Sequence, residues 1–144
     1  MVQTFLISPN PSETAGILDD KRLFKQIVEG NQILDCLLIK ESRWKNHPAV
    51  KMWKGYESFL VAYVGFMIQE WNMRGYDCSK SKITWFKFDQ LSNILECKVP
   101  HWFSDEFFLA HKSNLIRKKP EHYRPIFGLD IPDNLPYIWP SGKE

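Results

Sequence analysis

The sequence predicts an all-α fold, a compact single domain of three principal helices with an irregular, aromatic-rich C-terminal segment. Three observations carry this. At 144 residues the chain is long enough for one hydrophobic core, so 1–144 reads as a single helical domain. Apolar residues recur at three- and four-residue spacing over long stretches. Prolines and glycines sit mainly between those stretches, and five of the nine prolines fall in the last 25 residues. A 44% apolar and 25% charged composition is ordinary for a globular domain.

The elements follow in order. Ser8-Pro9-Asn10-Pro11 breaks a short extended start, and Ser12 is placed to cap a helix. Leu18, Leu23, Phe24, Ile27, Val28, Ile33, Leu34, Leu37 and Leu38 then mark one amphipathic helix to about Lys40. Gly30 inside it costs about 1 kcal/mol of helix propensity, which predicts close approach of another element there. A second helix is expected from Pro48, a favoured first-turn residue, to a glycine stop at Gly75. Its middle is apolar nearly all round, as in a buried central helix. Lys82 to Phe88 reads as a short strand or extended loop, and Gln90 to Cys97 as a shorter helix. Ser104 caps the third helix, Phe107 to about Lys118, which Pro120 ends. The remaining segment reads as irregular but docked through Tyr123, Phe127, Tyr137 and Trp139.

Several chemistries lack their residues. Three widely spaced cysteines without C-x-x-C suit free thiols in a reducing compartment, and the four histidines have no metal-ligand spacing. No metal and no cofactor is therefore expected. Phosphate-loop, dinucleotide and serine-hydrolase motifs are absent from the sequence. The longest uncharged apolar stretch, Ser58 to Gln69, has 12 residues, where a membrane span needs about 20. The start carries no basic leader or cleavable apolar run. These features lead us to expect a monomer that is not secreted and not membrane-bound, located in the cytoplasm, nucleoid or nucleus.

The charge is concentrated. Net charge is only +2, yet 43–56 holds Arg43, Lys45, Lys51 and Lys54 with Trp44, Trp53 and Tyr56 and no acid. A second segment, 111–124, holds Lys112, Arg117, Lys118, Lys119 and Arg124 with His122 and Tyr123, against the single acid Glu121. Phosphates attract dispersed cations, and exposed bases stack on flat apolar rings. Both segments are thus candidate nucleic-acid contacts, with Trp44, Trp53 or Tyr123 stacking on a base. The competing reading makes the rings core and the cations solvated. On the first helix Asp19, Arg22, Gln26 and Glu29 form one stripe flanked by Lys25. That stripe suits either a solvated face or a site on a rigid helix.

These residues together resemble a known family. Gly55-Tyr56-Glu57-Ser58-Phe59-Leu60 through Glu70-Trp71-Asn72-Met73-Arg74-Gly75-Tyr76 is similar to the second helix of the phage-type pyrimidine-dimer DNA glycosylases. Ser113 through Tyr123 resembles their third helix and the Pro-x-aromatic turn after it. Leu18-Asp19-x-x-Arg22-Leu23-x-Lys25-Gln26-x-x-Glu29 and Asn46-His47-Pro48-Ala49-x-x-Met52-Trp53 resemble a bacterial and viral branch related to them. The resemblance covers nearly the whole chain.

It implies an all-helical enzyme of base-excision repair that flips a nucleotide from bent double-stranded DNA. Its N-terminal α-amine attacks the sugar C1′, a Schiff base forms, and β-elimination nicks the strand. By this carry-over Glu29 or Asp19 is the acid/base, and Val2, exposed by removal of Met1, or Met1 itself is the amine. The family places Glu directly after an Arg of the first helix; here Leu23 follows Arg22, so the acid comes from elsewhere on the stripe. Arg22, Lys25, Gln26, Asn46, His47, Ser113 and Asn114 would hold the substrate. Two other classes stand beside this one: a non-catalytic nucleic-acid-binding module on the same scaffold, and an N-glycoside-processing enzyme acting on free nucleosides or nucleotides.

Overall fold

The computed structural model describes residues 3–38, 46–76 and 99–140. These form six helices and no strand: α1 (Pro11–Ile17), α2 (Asp20–Leu38), α3 (Pro48–Lys51), α4 (Glu57–Met73), α5 (Asp105–Lys118) and α6 (Pro120–Phe127). The three principal helices are α2, α4 and α5, of 19, 17 and 14 residues. The expected strand or extended loop at 82–88 and helix at 90–97 lie outside the described residues.

The expected first helix is divided in two. Asn10, not Ser12, is its cap: Asn10 Oδ1 accepts the Ser12 N–H at 3.0 Å, with Pro11 in the first turn. Leu18 is extended, and α2 restarts with the Leu23 N–H bonded to the Asp19 carbonyl at 2.9 Å. The break has a physical cause. In a continuous helix the Asp19 N–H would bond the Ala15 carbonyl. Here the Tyr123 hydroxyl takes that N–H (3.1 Å) and Arg74 Nη2 donates to that carbonyl (3.2 Å).

The second helix is also interrupted. His47 Nδ1 caps the single turn α3 by accepting the Ala49 N–H at 3.0 Å. Gly55 then turns the chain at φ 88, a conformation that favours glycine, and α4 follows. At the far end Gly75 has φ 94, its N–H bonds the Asn72 carbonyl (3.0 Å), and the Tyr76 N–H reaches the Trp71 carbonyl (3.3 Å). This is the paired-bond glycine stop that satisfies the last free carbonyls of a helix.

In the third region Ser104 Oγ accepts the Phe107 N–H at 3.1 Å, as expected of a cap. Pro120 does more than end α5: it opens α6, where its missing N–H would have had no helical partner anyway. Residues 120–127, expected to be irregular, are therefore helical, and the irregular segment begins only at Gly128.

The core lies where α4 meets α2 and α1. α4 contributes Phe59, Leu60, Val61, Tyr63, Val64, Met67 and Ile68. A Cβ added to Gly30 of α2 would come within 2.3 Å of Val64 Cγ2. That is the close approach Gly30 predicts, and it outweighs the helix propensity lost there. Trp53, Trp102 and Phe107 extend the core toward α5, with Trp53 edge-on to Trp102. Among the described residues, no helix is long and apolar enough to cross a membrane.

Candidate active site

The site is built around the start of the chain. Residues 3–7 are all buried without belonging to any helix or sheet, so their backbone polar groups need side-chain partners. Gln26 supplies two: Oε1 accepts the Phe5 N–H (2.8 Å) and Nε2 donates to the Gln3 carbonyl (3.2 Å). One amide thus bonds residues two apart, as a residue of a parallel strand would. The Tyr63 hydroxyl lies between the Phe5 carbonyl, at 2.6 Å, and Gln26 Oε1. His111 Nδ1 accepts the Leu6 N–H (2.9 Å), and Thr14 Oγ1 the Ile7 N–H (3.2 Å). Trp53 Nε1 donates to Thr4 Oγ1 at 3.1 Å. Burial holds the His111 pKa down at about 3, so the ring stays neutral and able to accept.

This segment leads to Glu29. The backbone of Gln3 lies near the half-buried Glu29 carboxylate. Burial raises the Glu29 carboxyl above its ordinary value, against the influence of the Gln3 backbone and the charges of Lys25 and Lys118. Lys118 sits among cations: burial first, then Arg22, Lys25 and Arg117, pull its ammonium below the ordinary value. The irregular C-terminal segment supplies another wall. The Tyr137 ring lies 6.4 Å from Phe5 and 5.7 Å from Trp139, and Trp139 in turn meets His47 edge-on at 6.1 Å. A carboxyl, several cations and aromatic rings therefore converge where the chain begins.

Asp19 stands apart from this centre. It is 4% exposed, and Tyr123 donates to its Oδ1 while Arg22 Nη1 reaches Oδ2 at 3.2 Å. Burial works to raise its pKa, but the bonds from Tyr123 and Arg22 outweigh it and the carboxyl is lowered. A carboxylate enclosed in this way orients Arg22 and has little freedom to exchange protons with a substrate. Of the two acids on the stripe, Glu29 has the environment of a general acid/base.

The basic segments are used differently from their sequence expectation. Trp53 is fully buried, stacked beside Phe59, and offers no face to a base. Tyr123 is fully buried against Asp19, and Gln26 is fully buried against residues 3–5, so neither meets a nucleotide directly. Ser113 and Asn114 are buried as well: Ser113 Oγ accepts the Leu135 N–H (3.0 Å), and Asn114 Nδ2 donates to the Ala110 and Leu135 carbonyls. Arg117 donates to the Asp133 carbonyl (2.9 Å) and to Asn114 Oδ1. Arg124 donates to the carbonyls of Gly128, Leu129 and Ile131. This block grips the C-terminal segment.

His122 Nε2 bonds the Ile17 carbonyl at 2.9 Å, and Lys112 lies 5.9 Å over the Phe127 ring, away from Glu29. Asn46, Lys51 and Lys54 are exposed around α3. Met1, Val2, Arg43, Trp44 and Lys45 lie outside the described residues. Tyr63, His111, Gln3 and Tyr137 join the site without having been singled out for it. A tyrosine inside an otherwise apolar central helix was the available signal, since a buried hydroxyl requires a partner.

A family model described as pyrimidine dimer DNA glycosylase matches residues 2–84, more than half of the 144-residue chain. The matched stretch includes α1 to α4 and, with them, Gln26, Glu29, His47 and Tyr63. No curated protein and no solved structure matches the chain.

Proposed function

This chain belongs to the pyrimidine dimer DNA glycosylase family, and on that premise we propose that it excises a damaged pyrimidine through an N-terminal amine and then nicks the strand. The observation that carries this reading is the buried segment 3–7, which Gln26 holds through the Phe5 N–H and the Gln3 carbonyl beside Glu29 of the same helix. Adjacent backbone nitrogens are at most about 3.6 Å apart. In this reading the Val2 nitrogen, joined to Gln3, acts on the substrate beside the Glu29 carboxylate. Removal of Met1 makes that nitrogen a free amine, with a reference pKa of about 7.7–8.0. With Met1 retained, the Met1 amine takes the same role one residue further out.

The reaction balances without an added oxidant or reductant. The amine nitrogen forms a bond to C1′ as the bond from C1′ to the base breaks, and the base leaves with the electron pair and takes up the proton that the amine nitrogen sheds. Glu29 donates a proton to the sugar ring oxygen, the ring opens and a Schiff base remains. Glu29, now a carboxylate, assists removal of a C2′ proton, and the 3′ phosphate leaves by β-elimination. Water then hydrolyses the Schiff base. Arg22, Lys25 and Lys118 take the flanking phosphates, with Lys51, Lys54 and Asn46 further along the duplex. Trp139 and His47 offer rings at the rim of the site. Asp19 and Tyr123 act through Arg22.

Borohydride trapping with dimer-containing and abasic duplexes tests this. The expected result is a covalent protein–DNA adduct through the first residue, lost on acetylation of the N-terminus. Glu29→Gln should cut strand nicking by at least about 100-fold, the lower bound for positioned acid/base catalysis, with duplex affinity retained. Salt-dependent duplex binding with neither adduct nor base release would instead mark a non-catalytic binding module. Activity on free nucleosides, unchanged by charge reversal at Lys118, would mark the free-nucleoside class.

A further inference from the structure

The amine reading depends on where the chain start is held, and Gln26 and Tyr63 hold it. We infer that Gln26, with Tyr63 behind it, is a positioning residue that fixes the distance between the N-terminal amine and Glu29. This rests on the function proposed above and adds to it the groups that set its geometry.

Gln26 is fully buried and cannot reach a bound nucleotide. Both ends of its amide are engaged by backbone, Oε1 with the Phe5 N–H and Nε2 with the Gln3 carbonyl. A peptide unit is planar, so fixing the Gln3 carbonyl on one side and the Phe5 N–H on the other leaves the intervening chain little rotation. Glu29 projects from the same helix about one turn beyond Gln26, near the Gln3 backbone that Gln26 holds. Both contacts therefore originate on one rigid element, and neither depends on a loop.

Tyr63 makes the arrangement directional. Its hydroxyl lies against Gln26 Oε1 and the Phe5 carbonyl, and burial pushes its pKa well above the ordinary tyrosine value, so it stays a donor. The amide is flanked by an oxygen that must accept from Phe5 and a nitrogen that must donate to Gln3. A flipped amide would set Nε2 against the Phe5 N–H, donor against donor. Glutamate at this position would lose the donor to Gln3, and methionine would lose both bonds at similar volume.

The test compares single-turnover borohydride trapping on abasic duplex with duplex affinity measured on the same protein. Gln26→Met should slow trapping on the order of 100-fold, the effect of a misplacement of about 1 Å, while the duplex Kd stays within about twofold. Tyr63→Phe should slow it less, because the amide remains. Trapping that is undiminished in both variants, or that falls only in step with a weakened Kd, overturns the inference and leaves the amine mechanism standing. Should Gln26→Met fail to fold, Tyr63→Phe decides by the same two readouts. Absence of an adduct from the unaltered chain on both duplexes overturns the amine mechanism, and this inference with it.

Discussion

The two ends of the described chain converge on one site and are held there by opposite means. Residues 3–7 run through the core, and their partners are neutral, buried side chains: Gln26, Tyr63, His111 and Thr14. Residues 128–133 run over the surface, gripped through their carbonyls by Arg117 and Arg124. A buried neutral bond is costly to leave unmade, because an unpaired group there loses water as well. An exposed guanidinium bond exchanges with solvent at small net cost. The first end should thus unfold only with the whole domain, whereas the second should open locally.

The largest way to break that contrast is acid. The His111 pKa is about 3 in the folded chain against 6.5 for the free side chain. Between those values the unfolded chain binds a proton that the native chain does not, so stability rises with pH and is lost as pH falls from 6.5 toward 3. The slope is about 1.4 kcal/mol per pH unit, or roughly 3 kcal/mol by pH 4.5. Thermal melts across this range should show the loss in the unaltered chain and a flatter profile in His111→Gln. An equal slope in both would remove His111 from the account.

Packing behind the first end comes next. α2 and α4 carry Gln26 and Tyr63, and they approach closely only because residue 30 has no side chain. Gly30→Ala gains about 1 kcal/mol of helix propensity but drives a methyl against Val64, where overpacking costs typically 1–3 kcal/mol. A net destabilisation is expected in denaturant titration. The accompanying Val64→Ala change should relieve the clash itself, leaving the cost of the lost Val64 methyls.

The surface end should respond less. Arg124→Ala removes three carbonyl contacts from a side chain that is one-quarter exposed. Amide exchange in 128–133 should become fast, with global stability lower by no more than about 1 kcal/mol. Loss of protection throughout α4 as well would mean that the two ends are not distinct.

This contrast also explains what the sequence could reveal. Helix periods, the Ser104 cap, the Gly75 stop and the Gly30 contact follow from local rules and are legible. The break at Leu18 is not, because its cause is Tyr123, 104 residues away from Asp19. Glu29 and Asp19 share a stripe, and only tertiary burial tells the acid near the chain start from the one sealed by Tyr123 and Arg22. Ser113, Asn114, Arg117 and Arg124 have the composition of a phosphate-binding surface. A backbone carbonyl and a phosphate oxygen attract the same donors, so composition alone cannot separate clamp from interface.

Among the lysines the difference is finer and gives the smallest effect. Lys118 lies with Arg22, Lys25 and Glu29, whereas Lys112 of the same helix lies over Phe127. Six residues separate them, which at 100° per residue puts them on different faces of α5. If the Glu29 face meets the duplex, Lys118→Gln removes one phosphate contact and Lys112→Gln removes none. The slope of log K against log salt should then fall by about 1 for Lys118→Gln and stay unchanged for Lys112→Gln. Equal slopes in the two variants would mean that the DNA-facing surface is not the one organised around the chain start.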